Sequence, residues 1–207
     1  MELLLIRHAL PVRRELAEGI ADPELSTTGH AQAQRLADYL AVERLDALYT
    51  SPLRRAQQTA QHVGAASGLR AVVIDDVAEW DRASSEYVPI EELKAADDPR
   101  WHALVAGHVD MHDESPASFR ERVVGALEHI IDAHAGQRVA VACHGGVVNT
   151  YLGHVLGLPA GPGFFYPNYT SIHRVAASRS GHRSVVTVNE TPHLRGTGLP
   201  MGLLQTG

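Results

Sequence analysis

Short apolar runs alternate with segments of helical periodicity along most of the chain. The first run, residues 3–6, predicts a buried strand, and the first helix is predicted from a hydroxyl cap within 25–29 to about Leu40. Further strands are predicted at 46–50, 71–74, 138–143, 171–176 and 184–188, with helices opening at Ser51-Pro52 and spanning 146–156. This alternation predicts an α/β fold: a three-layer sandwich with a mostly parallel central sheet and helices on both faces.

Residues 75–115 interrupt this alternation with an acidic segment. It contains 12 of the 24 acidic residues and is opposed only by Arg82, Lys94 and Arg100. One interpretation is a solvated helical insertion; the other is a lid that sets specificity, because the segment follows a strand that ends near a candidate site. We therefore expect a single domain over 1–207 with an acidic, mainly helical insertion or lid at about 75–115.

Cations and imidazoles follow three of the predicted strands. Arg7 and His8 follow the first strand, and Arg54 and Arg55 lie shortly after the second. His144 follows the strand at 138–143. Ligands of open α/β sheets bind at the carboxyl ends of the strands, so these side chains predict one shared anion site.

Composition narrows the classes of function. The formal charge of −6 disfavours nucleic acid and anionic membranes as partners, because both require a basic face. With one cysteine, Cys143, and no recognisable signal peptide or apolar span, the cytoplasm is the expected location. Lys94 is the only lysine, which excludes a Walker-type nucleotide loop.

Four motifs follow one another along the chain. They are Leu-Ile-Arg7-His8, Leu25-Ser26-x-x-Gly29-x-x-Gln32-Ala33, Ser51-Pro52-Leu53-x-Arg55-Ala56-x-x-Thr59-Ala60 and His144-Gly145-Gly146-Val147. In this order they resemble the histidine phosphatase superfamily, also called phosphoglycerate mutase-like. The resemblance implies the phosphoglycerate mutase-like fold. It also implies that His8 is the catalytic nucleophile and that Arg7, Arg55 and His144 bind the phosphoryl oxygens, with His144 also counted as catalytic.

The chemistry of phosphate monoesters supports such a cluster. Their hydrolysis is so slow without a catalyst that an enzyme must supply more than about 20 kcal/mol. Guanidinium groups bind two phosphoryl oxygens at once and stay charged at any relevant pH. His8 must be neutral to attack, and the positive charges of Arg7 and Arg55 disfavour its protonation. Because arginines take the place of a cation, we expect neither a metal nor a cofactor.

The leaving oxygen needs a proton, which a glutamate after the third strand supplies in many members of this family. Glu79 is the best positional match for that glutamate. The following stretch, Asp81-Arg82-Ala83-Ser84, departs from the family's glycine-containing pattern, so Asp81 and Glu86 remain alternative general acids. Trp80 would desolvate Glu79 and raise its pKa, as a general acid requires.

Three further features concern residues around this cluster. Ala9 replaces the glycine that usually follows the family histidine. Arg13 and Gly145 are candidate substrate contacts. His108 and His112 would share one face of a helix, and exposed histidines are favoured there over a metal site.

We therefore expect a metal-independent phosphomonoester hydrolase that acts on a small phosphorylated substrate through a phosphohistidine at His8. The alternatives are a cofactor-dependent phosphotransferase of the phosphoglycerate mutase type and a catalytically silent phosphate-binding protein. The natural substrate and the oligomeric state stay open, and a homodimer is compatible with the sequence.

Overall fold

The computed structural model describes residues 1–107, 114–161 and 163–203. The strands are β1 (Glu2–Arg7), β2 (Arg14–Glu15), β3 (Ala47–Thr50), β4 (Val72–Val73), β5 (Glu86–Tyr87), β6 (Arg138–Cys143), β7 (Ile172–Ala177) and β8 (Arg183–Glu190). The helices are α1 (Thr27–Leu40), α2 (Arg54–Ser67), α3 (Ile90–Ala95), α4 (Pro99–Val105), α5 (Pro116–Ala133) and α6 (Gly145–Val155). No helix within the described ranges has the length and apolarity needed to cross a membrane.

Six strands form one sheet in the order β4-β3-β6-β1-β7-β8. The first four run parallel to one another, whereas β7 and β8 are antiparallel to their neighbours. Arg7 is in register with Cys143, and Thr50 is in register with Ala142. The carboxyl ends of β1, β3 and β6 therefore lie side by side, and the predicted mostly parallel sheet is confirmed.

Helices cover both faces of this sheet. Leu3 and Leu5 pack into one core cluster with side chains of α5 and α6. Leu4 and Ile6 pack into a second cluster with side chains of α1 and α2. The apolar run of β1 is continuous because a strand covered on both faces has no solvent side for polar residues.

The two helices that follow β1 and β3 begin in different ways. The hydroxyl cap predicted within 25–29 is that of Ser26, whose Oγ accepts a hydrogen bond from the Gly29 N–H at 3.0 Å. The predicted start of α2 at Ser51-Pro52 is wrong, because the helix begins at Arg54 after an uncapped Leu53. The Ser51 hydroxyl instead lies 2.7 Å from Nε2 of His144 and accepts from the Leu53 N–H at 3.2 Å.

The acidic segment contains a short 3₁₀ helix at Asp75–Val77, then β5, α3 and α4. Strand β5 pairs with β2 in a separate two-stranded sheet. His108 and His112 lie outside the described residues. A lid role for this segment stays a prediction.

Gly29 in α1 lies against the loop that follows β1, and a Cβ there would overlap the backbone carbonyl of Leu10. We expect Gly29→Ala to lower the free energy of unfolding by about 1–3 kcal/mol, the usual cost of overpacking. Gly125→Ala is the control, because its Cβ would meet no atom within 4 Å. It should raise stability by roughly 0.5–1 kcal/mol. Urea denaturation measures both changes, and a loss of stability in both variants would contradict this account.

Candidate active site

His8 follows β1 and is held through its backbone and its ring. Its backbone N–H donates to the Cys143 carbonyl at 2.9 Å, and its Nδ1 lies 2.8 Å from the Ala9 carbonyl oxygen. Because a carbonyl oxygen only accepts, this contact assigns the ring proton to Nδ1. Nε2 therefore keeps its lone pair. His8 as a whole is only 3% exposed.

The surroundings favour the neutral form of both imidazoles of the site. Burial, followed by the positive charges of Arg55 and Arg7, holds the pKa of His8 well below its usual value. Burial and then Arg55 also hold the pKa of His144 well below that value. The two ring centroids lie 5.1 Å apart. A proton on either ring would add positive charge to a desolvated, already cationic cluster.

Arg7 is fixed by a carbonyl and two aromatic rings. Its Nη1 donates to the Pro167 carbonyl at 2.5 Å. Its guanidinium carbon lies 4.3 Å from the ring centroid of Tyr169 and 5.0 Å from that of Tyr166. Stacking of this kind holds the plane of the guanidinium and keeps its remaining donors oriented.

Arg55 lies in the first turn of α2 and has a 1% exposed side chain. Its Nη2 forms an ion pair with Oδ1 of Asp81 at 2.7 Å, and its guanidinium carbon lies 4.7 Å from the ring centroid of Tyr87. Arg54 has a 49% exposed side chain and pairs with Glu24 instead. The structure therefore brings Arg55, and not its neighbour, into the cluster.

His144 is the N-cap of α6 and is completely buried. Because the Ser51 hydroxyl accepts from the Leu53 N–H, its own proton is available to Nε2 of His144, 2.7 Å away. With Ser51 as the donor, Nδ1 of His144 carries the ring proton and is available to an external acceptor.

Several buried donors of this cluster have no partner. Among the described residues, the buried side-chain nitrogens and oxygens without a hydrogen bond are Arg7 Nε, Arg55 Nε, His144 Nδ1 and His193 Nδ1. The first three belong to the site. An unsatisfied buried donor costs about 1–3 kcal/mol, so three together indicate a site built for an acceptor that comes from outside. With two guanidinium groups present, that acceptor is an anion.

Glu79 approaches the cluster from the segment after β4 and is buried. Its Oε2 accepts from the Gly146 N–H at 2.7 Å, and its Oε1 accepts from the Trp80 N–H at 3.1 Å. Burial, followed by the negative charge of Asp81, raises the pKa of Glu79 to about 7. A carboxyl group with this pKa can both give and take a proton near neutral pH.

Gly146 leaves room for Glu79 and Trp80 because it has no side chain. A Cβ at this position would lie 2.9 Å from Cδ1 of Trp80 and 3.0 Å from the carboxyl carbon of Glu79. The glycine therefore allows the carboxylate to reach the first turn of α6.

The cluster opens into a cavity of about 810 Å³ that Arg7, His8, Arg55, Glu79, Asp81, Glu86 and Gly145 help to line. His144 contacts the His8 ring but is not part of the lining. The side chain of Glu86 is 47% exposed and pairs with Arg100 at 2.8 Å. Of the three acidic candidates, Glu79 is therefore the one whose surroundings suit a general acid.

Arg13 lies outside the cluster. Its guanidinium group is half-exposed and pairs with Glu15 at 2.7 Å and with Glu92 at 3.5 Å. It does not line the cavity. The structure thus places Gly145, but not Arg13, where a substrate contact was expected.

Sequence reasoning missed the aromatic residues that hold the two arginines, Tyr87, Tyr166 and Tyr169. Tyr87 lies in β5, whereas Tyr166 and Tyr169 lie in the segment before β7, so no local spacing connects all three. The role of Ser51 was also missed, because its contact with His144 spans 93 residues.

Comparison with known proteins agrees with this geometry. The model of the histidine phosphatase superfamily (branch 1) matches residues 3–191. Phosphoserine phosphatase 1 of Hydrogenobacter thermophilus is 36% identical over 151 residues, which cover 70% of this chain and 71% of that protein. Phosphoglycerate mutase-like protein 4 of Arabidopsis thaliana is 30% identical over 158 residues, or 72% and 68% of the two chains. The chain belongs to the histidine phosphatase superfamily, and it is a phosphatase of that superfamily.

Solved structures show the same fold. A phosphoserine phosphatase mutant from Entamoeba histolytica, in complex with phosphoserine, gives a TM-score of 0.71 at 24% identity and covers 93% of this chain and 98% of that one. Bacillus stearothermophilus YhfR gives a TM-score of 0.74 at 23% identity with the same coverage. The predicted phosphoglycerate mutase-like fold is thus confirmed.

Asp81 should influence the pH dependence of activity through Glu79. A general acid must be protonated, so we expect kcat/KM for an alkyl phosphate to fall as pH rises above about 7. Asp81→Asn removes a negative charge that raises the pKa of Glu79, so this alkaline limb should move to lower pH. Glu86→Gln is the control, and the alkaline limb of its pH profile should not move. Phosphate release from an alkyl ester is the readout, because a good aryl leaving group needs little protonation. An alkaline limb that does not move in Asp81→Asn would count against Glu79 as the acid.

The two adjacent arginines should differ in their effect on catalysis. Arg55→Lys loses a planar, two-pronged donor, and we expect kcat/KM to fall on the order of 10²-fold. Arg54→Lys is the matched control and should stay within about twofold, because exposed ion pairs contribute little. Steady-state kinetics on both variants checks the pair, and equal losses would contradict the assignment.

Proposed function

We propose that this phosphatase hydrolyses phosphomonoesters in two steps through a phosphohistidine at Nε2 of His8, without a metal or cofactor. One observation carries the proposal: Nδ1 of His8 is directed at the Ala9 carbonyl, beside three unpartnered donors of Arg7, Arg55 and His144. Burial and the two guanidinium groups, which hold the pKa of His8 well below its usual value, favour the neutral ring that an attack requires.

In the first step the lone pair of His8 Nε2 attacks phosphorus, and the bond from phosphorus to the ester oxygen breaks. The donors of Arg7, Arg55 and His144 bind the phosphoryl oxygens as charge develops on them. Glu79 gives its proton to the leaving oxygen, so that an alcohol departs. The Ala9 carbonyl accepts a hydrogen bond from Nδ1–H and so stabilises the positive charge on the phosphorylated ring.

In the second step Glu79, now a carboxylate, takes a proton from water while the water oxygen attacks phosphorus. The bond from phosphorus to Nε2 breaks, and its electron pair returns to the neutral His8 ring. Inorganic phosphate leaves. Glu79 is protonated again, so the enzyme returns to its starting state.

Hydrolysis is preferred over transfer between phosphoglycerate positions. The phosphoserine phosphatase of Hydrogenobacter thermophilus supports a phosphatase acting on small phosphorylated molecules. Because the chain is also similar to the phosphoglycerate mutase-like protein of Arabidopsis thaliana, transfer of the phosphoryl group between phosphoglycerate positions is the alternative to test. We also propose a cytoplasmic location, which the single cysteine supports because it can form no intramolecular disulfide.

Hydrolysis of p-nitrophenyl phosphate in excess chelator tests the nucleophile. We expect full activity in the parent protein and a loss on the order of 10³-fold or more in His8→Ala. His30→Ala is the control, because His30 is an exposed histidine whose ring contacts His62 rather than the cluster. Activity that survives in His8→Ala would refute the nucleophile, and activity that disappears with chelator would refute metal independence.

The same preparation separates hydrolysis from transfer. With 3-phosphoglycerate as substrate, the proposal expects any turnover to release inorganic phosphate. Formation of 2-phosphoglycerate in excess over phosphate would establish the mutase alternative.

A further inference from the structure

Resting on the proposed function, we infer that the preferred substrates are monoesters whose alcohol portion is apolar and uncharged, of the size of an arylalkyl group. Phosphorylated amino acids and phosphorylated hydroxy acids, which carry a carboxylate beside the ester, should be poor substrates. The inference rests on the cavity beyond the phosphoryl cluster, on the state of its cations and on the way its walls are fixed.

The cavity is larger than a small polar alcohol requires. Its volume of about 810 Å³ lies in the upper part of the range for drug-sized ligands, roughly 300–1,000 Å³. Beyond the charged end, its walls come from α3, α4, α5 and the segment that follows α6. They include the apolar side chains of Ile90, Leu93, Leu104, Phe119, Leu158 and Phe164.

Two arginines outside the phosphoryl cluster also line this cavity, and each donates to a group of the protein. Apart from Arg7 and Arg55, the cationic side chains among its described lining residues are Arg100 and Arg120. Arg100 donates from Nε and Nη2 to Asp98 at 3.0 and 2.8 Å and from Nη1 to Glu86 at 2.8 Å. Its donor groups are therefore directed at carboxylates of the protein.

Arg120 holds two parts of the cavity wall together. Its Nη1 donates to the Leu158 carbonyl at 2.6 Å, which ties α5 to the segment after α6. It is a lining cation whose described partner is that carbonyl rather than a carboxylate.

Asp81 and Glu86 also line the cavity and pair with Arg55 and Arg100, so neither ion pair offers a net positive charge to a second anion. Among the apolar side chains of the wall, a carboxylate on the alcohol portion of a substrate would lose its hydration, which is unfavourable.

The part of the wall that contains Phe164 and Phe165 is held in place by Asn149 of α6. Its Oδ1 accepts from the backbone N–H groups of Phe164 and Phe165 at 2.9 and 3.3 Å. Its Nδ2 donates to the carbonyls of Phe165 and Gly145 at 3.1 and 3.0 Å. Gly163 makes this approach with φ at +120°, where a Cβ would lie 2.9 Å from the amide carbon of Asn149. The wall is therefore preformed, and an apolar group can occupy it without first ordering a loop.

A comparison of three esters tests the inference. They are 3-phenylpropyl phosphate, O-phosphoserine and glycerol 3-phosphate, in which the leaving oxygen is always attached to a primary carbon. We expect kcat/KM for the phenylpropyl ester to exceed both others by at least about tenfold, the effect of even small apolar groups in such pockets. Equal or faster turnover of O-phosphoserine would overturn the inference while leaving the proposed function intact.

Two neighbouring residues of α4 provide a matched pair of variants. Leu104 lines the cavity, whereas Val105 is exposed and does not. Leu104→Asn should lower the ratio of kcat/KM for the phenylpropyl ester to that for glycerol 3-phosphate by about tenfold. Val105→Asn should leave the ratio unchanged. Phe164→Ser, in the segment that follows α6, should lower the ratio as Leu104→Asn does, so that a folding defect in one variant does not decide the outcome.

The results distinguish the two levels of the account. An unchanged ratio in both wall variants would overturn the inference about the alcohol portion. If no ester, p-nitrophenyl phosphate included, shows turnover that depends on His8, the proposed function is refuted and the inference falls with it.

Discussion

Burial of His8, reinforced by the repulsion between a protonated ring and the guanidinium groups of Arg55 and Arg7, is the constraint on which the site depends. It keeps the buried ring neutral, which a nucleophile requires. The same guanidinium groups, with unpartnered Nε donors, make the empty site unfavourable and an anion favourable. One arrangement of charge therefore prepares the nucleophile and recruits the group that it attacks.

The sheet provides this arrangement because parallel strands end at one edge. The register of β1 with β6 and of β3 with β6 sets His8, the loop before Arg55 and His144 side by side. The acidic residues of the site lie outside the sheet, on the segment that follows β4. There Asp81 pairs with Arg55, while buried Glu79 has a pKa of about 7. Two carboxyl groups two residues apart thus take different roles, because Asp81 has a cation for a partner whereas burial and the negative charge of Asp81 raise the pKa of Glu79.

Much of the fold was predictable because apolar runs report burial directly. The strands β1 and β6 appear almost where the sequence places them, since both faces of each are covered. Features that depend on distant contacts were not predictable: Ser51 does not cap α2 because its hydroxyl contacts His144, and Arg13 is held by Glu15 and Glu92. The choice among acidic residues likewise needed the structure, because burial distinguishes Glu79 and sequence does not report it.

Trapping the phosphoenzyme tests the central claim most directly. The parent protein would be mixed with a fast aryl phosphate, quenched within a single turnover under alkaline conditions that preserve phosphohistidine, digested and sequenced by mass spectrometry. The account predicts a phosphoryl group on the ring of His8, bonded to Nε2, that forms and decays at rates compatible with turnover. A phosphoryl group on any other residue, or turnover without a phosphorylated His8 when dephosphorylation is made rate-limiting, would contradict it.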